Sequence, residues 1–147
     1  MAIALKMAHT AAKKDEVPVG AVIVHNGAVI AKAHNLREAR HNPLAHAELI
    51  AIRKASRKLR GWRLTGCTLY VTLEPCPMCA GAIVNARIDE VVFGAYDPKA
   101  GACGTLYNLT EGRLNHKPKV TGGVMEAQAA SVLKDYFKRK RSAEKGE

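Results

Sequence analysis

The chain carries "HAE" at 46–48 and "PCPMC" at 75–79, and the 30 positions between His46 and Cys76 mean that only the fold can bring the two pieces together. Cys76 and Cys79 stand at C-x-x-C spacing where a turn enters a predicted helix, so both sulfurs project from one face of its first turn. Free backbone N–H groups and the helix dipole favour the thiolate there, which is the form that binds metal. His46 falls in the opening turn of another predicted helix, begun at Pro43. A fold that sets these two helix starts side by side assembles one imidazole and two thiolates, good ligands for Zn²⁺.

The rest of the chain must supply that fold. At 147 residues it reads as a single domain spanning 1–147, long enough to bury a core without disulfides. No apolar run approaches the roughly 18 residues of a membrane span. The opening "MAIALKMAHTAAKKDE" is broken by Lys6 and followed by charge, which suits an amphipathic helix with Ile3, Leu5, Met7, Ala8 and Ala12 on its apolar stripe. With nothing pointing to export, a cytoplasmic location and reduced thiols are expected, and C-x-x-C reads as metal or redox before disulfide. The formal net charge of +10 points to an anionic partner, nucleic acid well ahead of a membrane surface. Six Lys or Arg lie between Arg53 and Arg63, and "KRKR" runs from Lys138 to Arg141.

Two β-rich runs, 17–24 and 28–35, flank Asn26-Gly27, a strong hairpin signal because a type I′ turn needs positive φ at both central residues. The helix from Pro43 is expected to reach Leu59 and to bury Leu49, Ile50, Ile52 and Leu59. A buried strand at 67–73, a helix after Cys76, a strand at 88–96, a short strand near Val120 and a helix over 125–138 follow. The Gly-rich segment 97–104 reads as a functional loop. Hairpin first, then alternating helix and strand, predicts a mixed sheet with helices on its faces.

Three protein ligands leave a coordination position free for water, whereas a structural zinc site wants four. Cys67, Cys103 and the other histidines stand at no familiar ligand spacing, so an open site is the better reading. Glu48 then gains a role. A water acidified by the metal needs a base, and a carboxylate two residues beyond the ligand can lie beside the metal without binding it. The combination H-x-E followed by P-C-x-x-C is the zinc deaminase signature.

Beyond that signature the chain resembles the bacterial tRNA-specific adenosine deaminases, in "EVPVGAVIV", "AHN", "HNPLAHAE", "LTGCTLYVTLEPCPMCAGAI", "DPKAGACGTLYNL" and "LNHKPKV". The resemblance implies a three-layer α/β/α cytidine-deaminase-like fold with a central mixed sheet of about five strands, one Zn²⁺ per subunit and a homodimer. It implies a tRNA anticodon stem-loop as partner, with its wobble adenosine flipped into the pocket. His46, Cys76 and Cys79 become the zinc ligands and Glu48 the proton shuttle. Asn35 and the backbone N–H of Ala47 become contacts to the flipped nucleoside. Asp97 and Lys99 fall on the loop at the pocket mouth, and Phe137 and Arg139 on the C-terminal helix that approaches the stem. Asn115 and His116 match an element read as pocket rim, dimer structure or a capped turn. Asp15 stands where the family pattern suggests glycine.

Two other readings remain. The same machinery could deaminate a free base or nucleoside of the guanine or cytosine type. Alternatively, a non-catalytic RNA-binding module could be held together by zinc with Cys67 or Cys103 as fourth ligand.

Overall fold

The computed structural model describes residues 1–146. Helix α1 (Ala2–Lys13) leads into strands β1 (Gly20–His25) and β2 (Ala28–His34), joined through Asn26 and Gly27, both at positive φ (50° and 75°) as a tight hairpin turn requires. Helix α2 (Ala47–Leu59), strand β3 (Cys67–Leu73), helix α3 (Pro77–Asn85) and strand β4 (Glu90–Ala95) alternate after it. Strand β5 (Lys119–Thr121) and helix α4 (Glu126–Lys145) complete the order. The five strands form one sheet in the order β2-β1-β3-β4-β5, antiparallel from β2 to β3 and parallel from β3 to β5.

Alternation along the strands gives the sheet two apolar faces. Ala21, Ile23, Leu69, Val71, Val91 and Phe93 stand in register on one side and join a core with Ile50, Ala51 and Ala55 of α2 and Ile83 of α3. Helices α1 and α4 cover the other face, giving the expected three layers. Two strand glycines admit them. A Cβ on Gly20 would lie 1.9 Å from the carbonyl oxygen of Ala4, and one on Gly94 would lie 2.7 Å from Ala129 Cβ. This close approach also corrects the expected stripe of α1. The side chains it buries are Ala4, Leu5, Ala8 and Ala11, while Ile3 stays 42% exposed, because a helix lying this close to the sheet has room beneath it for alanines.

Asp15 follows α1 at φ 59°, the left-handed conformation that explains the glycine expected there and that aspartate tolerates. Its carbonyl accepts from the Tyr136 hydroxyl at 3.3 Å and its carboxylate pairs with Lys140 at 2.9 Å, tying α1 to α4. Among the described residues, no helix is long and apolar enough to cross a membrane.

Candidate active site

Helices α2 and α3 pack together on one face with their N-termini side by side. His46 is the residue before α2, and Cys76, followed by Pro77, is the residue before α3; both have extended backbone (φ −77°, ψ 148° and φ −73°, ψ 173°). The expected start of α2 at Pro43 is therefore displaced, and Pro43 lies in the preceding loop. His46 Nδ1 is 3.8 Å from Cys76 Sγ and 3.5 Å from Cys79 Sγ, and the three donor atoms lie within 4.8 Å of one another. Tetrahedral zinc with ordinary Zn–N and Zn–S bonds puts nitrogen and sulfur about 3.6 Å apart, so the cluster already has the spacing of a zinc site. Among the described residues these three make up the cluster; Cys67 and Cys103 lie outside it, which leaves the fourth-ligand reading without its ligand.

The electrostatics suit a cation. Hydrogen bonds from the Cys79 thiol, the His46 ring and the Cys79 backbone pull Cys76 down to about 4 against the opposing effect of burial. Cys79 is pushed up by that shared hydrogen bond and by burial, and His46 is pushed up by its hydrogen bond to Cys76. A divalent ion compensates the burial of two thiolates, and metal ligation deprotonates both.

Glu48, in the first turn of α2, is 3% exposed, and its Oε1 has no hydrogen-bond partner among the described residues. Burial raises its pKa above the usual carboxylate range. A buried oxygen left unpartnered beside the cluster is a demand for a proton or a water. Asn35, just past the end of β2, accepts the Ala47 N–H on its Oδ1 at 2.8 Å. The Ala47 N–H read as a substrate contact is thus taken within the protein, and the Asn35 amide nitrogen is the group left for a ligand.

Asn35, His46, Glu48, Cys76 and Asp97 line one cavity of about 200 Å³. That is below the roughly 300–1,000 Å³ of sites for drug-sized ligands and suits a single base. Arg37 and Asp97 also line a neighbouring groove of about 660 Å³. Lys99, Lys134 and Arg141 join Arg37 along that groove, with Tyr96 and Phe137 exposed on it. Arg139 lies elsewhere, in a cleft with His9 between α1 and α4. Sequence reasoning missed Arg37 and Lys134 and singled out Arg141 only as the end of the 138–141 basic run; the helical spacing of Lys134, Phe137 and Arg141 was the available signal for the groove. It also missed Glu74, buried beside the cavity. His116 is remote from the pocket and hydrogen-bonds the Ile88 carbonyl at 2.6 Å, a polar staple.

An open His-Cys-Cys cluster, a buried carboxylate beside it and a base-sized cavity on this fold define a hydrolytic deaminase. The family model of the MafB19-like deaminases matches residues 1–141. The tRNA-specific adenosine deaminase of Bacillus subtilis is 53% identical over 97% of this chain and 89% of its own length. A solved structure from a study of A-to-I editing by tRNA:A34 deaminases at the wobble position of transfer RNA superposes with a TM-score of 0.87, at 44% identity, covering 90% of this chain and 97% of that one. A guanine deaminase from Nitrosomonas europaea shares the fold, with a TM-score of 0.82 at 24% identity over 92% of this chain and 81% of that one. The chain belongs to the tRNA-specific adenosine deaminase family.

Proposed function

We propose that this chain acts as one catalytic unit that converts the wobble adenosine of a tRNA anticodon to inosine. The observation that carries the substrate class is that the base-sized cavity shares Arg37 and Asp97 with an adjoining groove that also holds Lys99, Lys134 and Arg141 beside Tyr96 and Phe137. Cations that track phosphates and aromatic faces that stack bases suit a single-stranded RNA loop, and a free base needs neither. The target adenosine leaves its stack at a cost of a few kcal/mol, least where the strand is already unpaired.

His46, Cys76 and Cys79 would hold Zn²⁺, which would supply a Lewis acid able to lower the pKa of a water. The remaining work falls to side chains of this chain. Glu48 Oε1 takes a proton from the attacking water, returns it to the ring nitrogen beside C6, and assists loss of the amino group as ammonia. The C6–O bond forms first, as the ring nitrogen gains its proton; the C6–N bond breaks afterwards, when Glu48 carries the hydroxyl proton of this adduct to the amino group, which leaves as ammonia and restores the C6 carbonyl. The Asn35 amide, its oxygen fixed by Ala47, orients the base. Asp97 and Lys99 form the mouth, and Phe137 on α4 offers an aromatic face to a neighbouring base. Arg139, in its separate cleft, is read as reaching the RNA stem. The family resemblance supports a homodimer with one zinc per subunit, working in the cytoplasm where its tRNA is found.

The test offers zinc-loaded protein a hairpin RNA with adenosine at the wobble position, alongside free guanine, cytosine and adenosine. Conversion of the RNA alone is expected. Ammonia from free guanine with untouched RNA would replace the substrate and keep the site.

A further inference from the structure

Glu74 is 2% exposed and stands two residues before the ligand Cys76. Its carboxylate takes four hydrogen bonds from one loop. Oε1 accepts from the Asp97 N–H at 3.1 Å and from the Thr105 hydroxyl. Oε2 accepts from the N–H groups of Cys103 and Thr105, both at 3.1 Å. The Ala102 N–H donates to the Pro75 carbonyl at 2.9 Å beside them. Gly101 completes the wrapping: a Cβ there would lie 2.5 Å from the Glu74 carboxyl carbon and 2.6 Å from the Asp97 carbonyl oxygen. Loop 97–105 is folded around a carboxylate that belongs to the metal-binding segment. That same loop brings Asp97 to the base cavity and Lys99 to the groove.

We propose that Glu74 is a positioning residue that holds loop 97–105 in fixed register with Cys76 and Cys79, and thereby sets how tightly the RNA is gripped. All four partners are donors, so both oxygens must act as acceptors. Glutamine in this place keeps its oxygen for the Cys103 and Thr105 N–H groups and turns its NH₂ towards Asp97 and the Thr105 hydroxyl; the hydroxyl can rotate to accept, but the Asp97 N–H loses its bond and faces another donor. The loop then loosens while the cluster, held by α2 and α3, stays intact. The consequence for RNA rests on the substrate reading above, whereas the consequence for the loop does not.

The experiment compares Glu74→Gln with Thr72→Val in the zinc-loaded protein. Thr72 accepts the Gly20 N–H at 3.1 Å beneath α1, so its loss is a structural control away from the loop. In Glu74→Gln, hydrogen exchange is expected to rise about tenfold or more at the amide of Asp97, the stranded donor, and to rise by less at those of Cys103 and Thr105 as the loop loosens. KM for the hairpin RNA is expected to rise about tenfold as well, with a smaller change in kcat and an unchanged zinc content. Thr105→Val, which removes only the hydroxyl bond, should move exchange and KM in the same direction by less, and Thr105→Ser should restore them. Unchanged loop exchange in Glu74→Gln would overturn the proposal, as would a KM rise matched by Thr72→Val or a loss of zinc. If the wild type converts no RNA, the substrate reading falls, and the exchange comparison still decides for or against Glu74.

Discussion

The groove beside the base cavity makes a quantitative claim about salt. Arg37, Lys99, Lys134 and Arg141 line it. Each cation that neutralises a phosphate of single-stranded nucleic acid contributes about 0.7 to the slope of log affinity against log salt. Four such contacts give a slope of about −3, which weakens binding roughly fiftyfold between about 50 and 200 mM salt. Changing Lys99, Lys134 and Arg141 together to alanine should flatten the slope by about 2. Phe137, 43% exposed, supplies an apolar face and no charge. Phe137→Ala should therefore cost about 1–3 kcal/mol in affinity and leave the slope alone. Fluorescence anisotropy of a labelled anticodon hairpin reads both quantities, with Glu48→Gln as the common background so that the RNA is not consumed. A triple variant that keeps the full slope would refute this placement of the RNA. So would a Phe137→Ala variant whose loss is salt-dependent.

Four further outcomes follow. Glu48→Gln should lower kcat by about 10²–10⁴ while retaining zinc, as turnover and metal analysis together will show. The same variant should melt no lower than the wild type, because it replaces a buried carboxylate whose Oε1 has no partner. Cys76→Ser or Cys79→Ser should abolish stoichiometric zinc, whereas Cys67→Ala and Cys103→Ala should keep it, read by metal analysis after dialysis against a weak chelator. Gly20→Ala forces a methyl into the backbone of α1 and should cost about 3 kcal/mol or more, roughly 6–12 °C in melting temperature.

What the sequence disclosed was local, and what it hid was held from a distance. Strand β3 occupies the expected 67–73, because an unbroken apolar and β-branched run bounded by Gly66 and Glu74 permits little else. The Asn26-Gly27 turn likewise carries its own conformational demand. Helix α2 starts four residues after Pro43 because its first N–H, that of Ala47, is capped by the side chain of Asn35 from β2's end. Meanwhile Asn42 takes the Leu44 N–H through its own side chain and keeps the preceding loop non-helical. No window around Pro43 contains that information. Strand β1 begins at Gly20 rather than residue 17, where the Val19 N–H turns back to the Val17 carbonyl at 2.8 Å. The metal ligands were legible because coordination chemistry restricts residue types and spacing together. The groove was not, since Arg37 and Arg141 are far apart in the chain and meet only in the fold. Glu74 was hidden for the same reason, its partners lying 23 to 31 positions away.

Hydrolytic deamination of adenine held in RNA leaves an isotopic mark, read by running the reaction in water enriched in heavy oxygen and digesting the product to nucleosides for mass spectrometry. Inosine at the wobble position is expected to carry the heavy oxygen, with one ammonia released for each inosine and neither product from Glu48→Ala loaded with zinc. Inosine without the label, or product formed at the wild-type rate by Glu48→Ala, would contradict this mechanism.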